Sequence, residues 1–268
     1  MRRTRPPLRL LRSPLVLVLA QVRFAPVLQM ATYVPGIQER LRKAGYPRFS
    51  ESLIQEFVLG PTPNTAPSMS TRNKWVFSDR DTQTAVALTT DFVAFETVAY
   101  DTFDRFVEAM GAVLDIVGSE ANIELSERVG LRYIDLVRPL AGDRLNDYLA
   151  PGLAGLESLP EAVSSQSRLL MHGASQHGQF IFRLTKGTGA ATLPPELQPS
   201  DLPANLPGDD GEFALLDMDH ASTGTRGYDV DAITDDLWAL HDLVDGLFRS
   251  AATPHALLQW GAEPVEGV

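Results

Sequence analysis

Between residues 74 and 118 the chain switches from a period of two to a period of 3.6, and that switch constrains the fold more than any other feature. Lys74–Ser78, Thr84–Thr89 and Phe92–Tyr100 are short runs rich in Val, Phe, Trp and Thr, the pattern of half-buried strands. Directly after them Phe103, Phe106, Val107, Met110, Val113, Leu114 and Val117 fall on one helical stripe that ends at Gly118. Asp101 is placed to cap this helix, with Asp104 three residues on in the capping-box position. A strand meander and an amphipathic helix so close in sequence must share one core, which predicts α+β architecture.

The same alternation extends in both directions. Leu15–Phe24 reads as a strand, and Pro35 to Gly45 as a helix through Ile37 and Leu41. Glu51–Leu59 reads as a strand, with Gly60–Asn73 as an exposed loop. Glu127–Val137 is a strand ended by Pro139, and Leu145–Leu156 a short helix. Residues 163–171 and 178–185 form an expected hairpin with His172 and His177 around its turn. Phe213–His220 is a strongly apolar strand. A last helix near Asp231 turns Leu237, Leu240, Val244, Leu247 and Phe248 inward. Strands punctuated by single helices predict a mostly antiparallel sheet with helices packed on one face. Residues 14–262 are read as a single domain or two packed halves, 14–142 and 143–262, and the five-proline segment 188–211 as a mobile loop.

Charge narrows the function classes. Residues 1–48 hold ten Lys or Arg and one acid, Glu39, so the rest of the chain, with thirteen basic and thirty-three acidic residues, is far more acidic than the net charge of −11 suggests. An acidic body repels phosphate backbones, so nucleic acid is expected only at the basic N-terminus, whose residues 1–13 are read as a disordered extension. The arginines before Pro14–Ala20 imitate a secretory leader, but Gln21 and Arg23 continue an alternating pattern with Val22 and Phe24, which favours a strand. No run approaches the roughly 20 apolar residues of a membrane helix. With no cysteine, thiol catalysis and thiolate metal sites are excluded, and a cytoplasmic location is expected.

Glycine-rich phosphate loops, G-x-S-x-G elbows and H-E-x-x-H helices are all missing. Two polar constellations remain. In Leu215–His220, period two puts Asp217 and Asp219 on one strand face and Met218 and His220 on the other. Two carboxylates so spaced suit a divalent cation, Mg2+ or Mn2+, or a pair of guanidiniums. In the segment around Gly130, Arg128 and Arg132 flank a residue without a side chain, which leaves a gap for an anion, or they form structural ion pairs with Asp217, Asp219 or Glu96. His220, beside the carboxylates, is the general-base candidate, with Glu96 as a further candidate. His241, next to the inward stripe of the last helix, reads as a hydrogen-bonded core or boundary histidine.

Several segments resemble a sporadically distributed bacterial and archaeal family of unknown function, about 260 residues long. They are Val22-Arg-Phe-Ala-Pro26, Trp75, Phe95-Glu-Thr-Val-Ala-Tyr100 with Phe103 and Phe106, Arg128-Val-Gly-Leu-Arg-Tyr-Ile-Asp135, Leu216-Asp-Met-Asp-His220, and Leu240-His241 with Phe248. The chain departs from that family at Asp135, where Asn is commoner, and at Gln21, near which an acidic residue is usual. The resemblance implies one intact domain and brings no activity or ligand with it.

Three functions follow as expectations, the last a small-molecule binder, which needs a concave sheet face with a roomy apolar interior. The first is a non-enzymatic binding or regulatory module of an accessory or defence system, working with a protein partner or as a homo-oligomer. The second is a metal-dependent hydrolase or phosphotransfer enzyme, with Asp217 and Asp219 on the cation and Arg128 and Arg132 on an anionic substrate.

Overall fold

The computed structural model describes residues 8–58, 68–155, 166–194, 197, 202, 203, 206 and 210–263. Its elements are, in order, β1 (Arg9–Leu10), β2 (Leu15–Phe24), α1 (Met30–Lys43), β3 (Arg48–Val58), β4 (Ser68–Ser78), β5 (Thr84–Leu88) and β6 (Phe92–Thr97). There follow α2 (Phe103–Ala121), β7 (Leu125–Val137), α3 (Leu145–Tyr148), β8 (Gln166–Ser175), β9 (Gly178–Thr188), β10 (Glu212–Gly227), α4 (Val230–Ala251), α5 (Pro254–Gln259) and β11 (Ala262–Glu263). Nine strands form one open antiparallel sheet in the order β3-β4-β5-β6-β2-β7-β10-β9-β8, and β1 pairs separately with β11. The expected α+β class is the one observed.

The topology is two similar halves joined edge to edge. Each begins with a strand, β2 or β7, and later returns so that its last strand, β6 or β10, pairs with that opening strand. Each then closes on a long helix, α2 or α4. The two opening strands pair with one another, so one sheet runs through both halves. Gly178 turns β8 into β9 with φ +146° and lies against the neighbouring strand: a Cβ there would stand 2.0 Å from the Ala221 carbonyl oxygen. Only glycine fits so close an approach.

One face of the sheet carries the helices. Val18, Val22, Phe24, Phe77, Val129 and Leu131 alternate onto that face and pack with the inner stripes of α1, α2 and α4. The stripe expected on α2 is buried as read, but the cap is Thr102, whose hydroxyl accepts from the Arg105 amide, while Asp101 pairs with the Arg105 guanidinium at 2.6 Å. α1 starts at Met30, five residues before Pro35. Met30, Val34, Ile37 and Leu41 are buried on one side, and burying four apolar side chains outweighs the one intrahelical bond that the proline removes.

The opposite face carries no helix among the described residues, yet part of it is covered. Ala191, Leu193, Leu197 and Leu206 pack on Leu17, Ile134, Leu136, Phe213 and Leu215, and Leu202 packs on Val76 and Ala85. The described residues of segment 188–211, read from its prolines as mobile, therefore lie against the sheet, where Ala191, Leu197 and Leu202 are buried.

Other boundaries also differ from the sequence reading. β4 begins at Ser68, so residues 68–73 are strand rather than loop; residues 59–67 lie outside the described ones. β8 runs to Ser175, which places His172 inside the strand instead of at the turn. Residues 8–13, expected in a disordered extension, form β1 and dock on the C-terminal segment through the Arg12 amide and the Trp260 carbonyl; residues 1–7 lie outside the described ones. Among the described residues no helix is long and apolar enough to cross a membrane.

Candidate functional site

The four residues singled out on the strands do come together on the helix-free face. The β7–β10 register sets Asp219 opposite Arg132 and Asp217 opposite Ile134, with Arg183 of β9 opposite Asp217. The Asp217 carboxylate, 2% exposed, receives both arms of Arg132 at 2.6 Å and one arm of Arg183 at 2.9 Å. Such a forked pairing fills both oxygens of the buried acid. Arg128 lies 3.8 Å from Asp219 and donates to the Gln21 amide oxygen at 3.4 Å. Further along the same face Asp91 is held by Arg72 at 2.6 Å and Arg23 at 2.9 Å. Burial works against the charge of Asp91, but Arg72, Thr89 and Arg23 keep its carboxyl below the usual range.

The expected roles on this face change accordingly. The gap over Gly130 is filled by the Arg128 head itself: a Cβ on Gly130 would stand 2.7 Å from the Arg128 Nη1. Replacing Gly130 by Ala should therefore displace a flexible guanidinium at a cost below about 1 kcal/mol, measurable by urea denaturation. Asp217 does not offer open oxygens to Mg2+ or Mn2+, since guanidiniums engage both. Among the described residues no group of three or more His, Asp or Glu is placed to hold a metal ion. Glu96 lies on the same row as Arg132 with Leu19 between them, and it is buried.

His220 points to the other face, as period two requires, and is fully buried. Its Nδ1 lies 3.1 Å from the Leu240 carbonyl oxygen and its Nε2 2.9 Å from the Ser175 hydroxyl. Burial pushes its pKa down, so the ring is neutral, and both nitrogens are used in tying β10 to α4 and to the β8 hairpin. It is a structural histidine rather than a base for Asp217 or Asp219, because the sheet separates them.

The helix side holds a site that the sequence reading did not assemble. A cavity of about 650 Å³ opens between the N-terminal segment, the turn into α2, β7 and α4. This is within the usual range of small-molecule sites. Tyr133 and Asp135 reach it from β7, Met218 from β10, Tyr100 and Phe103 from the α2 entry, and His241, Asp245 and Phe248 from α4. Leu8, Leu10 and Leu15 close the remaining wall. The Tyr133 hydroxyl and His241 Nδ1 share a hydrogen bond of 3.0 Å, and the imidazole stacks on Phe103 with ring centres 4.0 Å apart. Tyr100 meets Tyr133 edge to face at 5.8 Å. Desolvation, reinforced by Tyr100, Asp245 and Asp135, pushes the Tyr133 phenol well above its ordinary pKa.

Asp135 is the unusual member. β7 is buried on both sides, and the cross-strand neighbours of Asp135 are Leu15 and Leu216. The β2–β7 register slips between Leu15 and Leu17, so Leu15 stands opposite Asp135 at the cavity wall. The carboxyl is 3% exposed, and no hydrogen bond or ion pair reaches it among the described residues. Burial alone pushes its pKa up to about 8. A carboxyl in such surroundings is held neutral near pH 7 and donates a proton instead of carrying charge.

A signal for this site was present in the sequence. Asp135 has the parity of Val129, Leu131, Tyr133 and Val137, so it is an acid on the core face of a strand.

These features define an open-sheet α+β protein with a polar-centred cavity between sheet and helices. No family model matches the chain, and no curated protein matches it.

Proposed function

We propose that the protein is a non-enzymatic binding module whose ligand occupies the cavity above Asp135. The observation that carries this reading is the buried, unpartnered carboxyl aimed into a cavity large enough for a small molecule. Burying a polar group without a partner costs roughly 1–3 kcal/mol, and a ligand that completes the hydrogen bond recovers it. The aromatic and aliphatic walls supply the apolar contact area, while Tyr133, His241 and Asp135 supply a few fixed polar contacts. That is the composition of a recognition site. The ion pairs on the helix-free face, in contrast, satisfy one another and serve the sheet.

A fragment screen by ligand-observed NMR tests the reading with wild type and Leu10→Trp, which projects an indole into the cavity from the peripheral β1 ribbon. Fragments should bind wild type and lose at least about tenfold in affinity for the variant, at unchanged melting temperature. A screen without hits, or hits indifferent to Leu10→Trp, would count against the cavity as the binding site.

A further inference from the structure

We infer that the ligand is an organic cation, an ammonium on an aromatic or aliphatic body, which docks its charge on Asp135 as that carboxyl gives up its proton. This rests on the reading of the cavity as the ligand site and adds the chemical class of the ligand.

Two independent features agree on the sign of the charge, and a third on the body that carries it. Asp135 has no cationic partner among the described residues, although three guanidiniums line the same cavity. Two of those are committed elsewhere: Arg105 to Asp101 at 2.6 Å and Arg249 to Asp245 at 2.8 Å. The third, Arg9, stands on the exposed β1 ribbon.

Second, the charged side chains facing the cavity are mostly acidic. The entry to α2 brings Asp101 and Asp104 along with Arg105, α4 brings Asp242 and Asp245 along with Arg249, and β1 brings Arg9. Four carboxylates against three guanidiniums leave one net negative charge around the cavity, and Asp135 adds a second once it ionises, a balance that opposes a bound anion and favours a cation. The only other titratable groups facing Asp135 are His241 on α4 and the phenols of Tyr100 and Tyr133, while Leu15 of β2 and Met218 of β10 contribute no charge.

Third, the walls are aromatic. Tyr100, Phe103, Tyr133 and Phe248 come from three separate elements onto one cavity, which suits the apolar body that carries the ammonium. The neutral carboxyl avoids an unpaired buried charge. When the ammonium enters, Asp135 ionises beside it, the proton leaves to solvent, and the buried pair is formed in one step.

Proton release makes the inference testable with simple probes. Phenethylammonium, 2-phenylethanol and phenylacetate carry the same ring with positive, neutral and negative ends. Calorimetric titration in two buffers of different ionisation heat should detect binding of phenethylammonium at millimolar concentration, with release of close to one proton per ligand near pH 6.5. Its affinity should rise roughly tenfold per pH unit from about pH 6 to 8 and level off above that, because the proton to be displaced is already gone. Asp135→Asn, which keeps the side-chain shape, should bind at least about tenfold more weakly and lose the slope.

A slope that persists in Asp135→Asn would assign the proton to another group and overturn the inference. Binding of phenylethanol or phenylacetate as tight as that of phenethylammonium, and abolished by Leu10→Trp, would overturn the cation class but leave the cavity as the ligand site. If phenethylammonium binds Leu10→Trp and wild type equally, the cavity reading falls with the inference. If none of the three probes binds, the cation class is rejected, and the fragment screen alone then decides the cavity.

Discussion

Replacing Asp217 by Ala should destabilise the fold by about 3–5 kcal/mol, the range found when one member of a buried ion pair is removed and its partner is left behind. The loss is large because the carboxylate serves two guanidiniums, and Arg132 has almost no solvent to return to: its side chain is 11% exposed. For a chain of this size the melting temperature should fall by about 10 °C. Asp219→Ala, removed from the same strand face two residues away, should cost no more than about 1 kcal/mol. Its carboxylate is 3.8 Å from the nearest guanidinium group of Arg128 and is more exposed. Urea denaturation of the two variants measures the contrast directly. Equal losses would mean that Asp217 does not hold β7, β9 and β10 together in the way its contacts indicate.

Asp135→Asn should have the opposite effect, and one that depends on pH. The group ionises near 3.8 in the unfolded chain and only at about 8 when folded. The folded state therefore binds the proton more tightly, and wild-type stability is lost as pH rises from the unfolded value through the folded one. Below about pH 4 both states are protonated and the group makes no difference. At 1.36 kcal/mol per unit, it lowers wild-type stability by roughly 4 kcal/mol near pH 7 relative to acid conditions. Asn does not titrate, so the stability difference between variant and wild type should grow in favour of Asn from about pH 4 to 8 and then level off. Denaturant midpoints collected across that range check the sign. Retaining a residue that destabilises the fold near neutrality is what stability–function trade-off predicts for a binding group.

The sequence made the fold class legible, along with several of its details. Period two in Leu215–His220 and in Glu127–Val137 correctly separated Asp217, Asp219, Arg128 and Arg132 from Met218, His220 and Tyr133, because strand geometry alone decides which face a side chain takes. The ion pairs among the four were one of the two outcomes expected. What the spacing left open was the third partner of the cluster, Arg183, and the fold of Arg128 over Gly130. Neither is visible in spacing, since both depend on which strand becomes the third neighbour and on a side-chain rotamer.

The cavity was harder to read for a different reason. Its walls come from residues 8–15, 100–105, 133–135 and 241–249, and only the pairing of β2 with β7 and the crossing of α4 bring them together. The hydrogen bond expected of His241 as a core or boundary histidine is present, but its partner, Tyr133, lies 108 residues earlier, which spacing within one helix does not reveal. The prolines of segment 188–211 signalled the irregular backbone seen at residues 190–194. They did not signal that Ala191, Leu197 and Leu202 would be buried, since a segment of irregular backbone can lie flat on an apolar sheet face as readily as it can project into solvent.

The functional account turns on a buried carboxyl that lines the cavity without a cation or donor to hold it. A carbon-detected NMR titration of the Asp135 carboxyl, in protein freed of small molecules, measures that property without any ligand. A midpoint near 8 is the predicted result. A midpoint in the ordinary aspartate range would mean that a cation or a set of donors already holds the group, and the cavity would then have no unmet polar contact to offer.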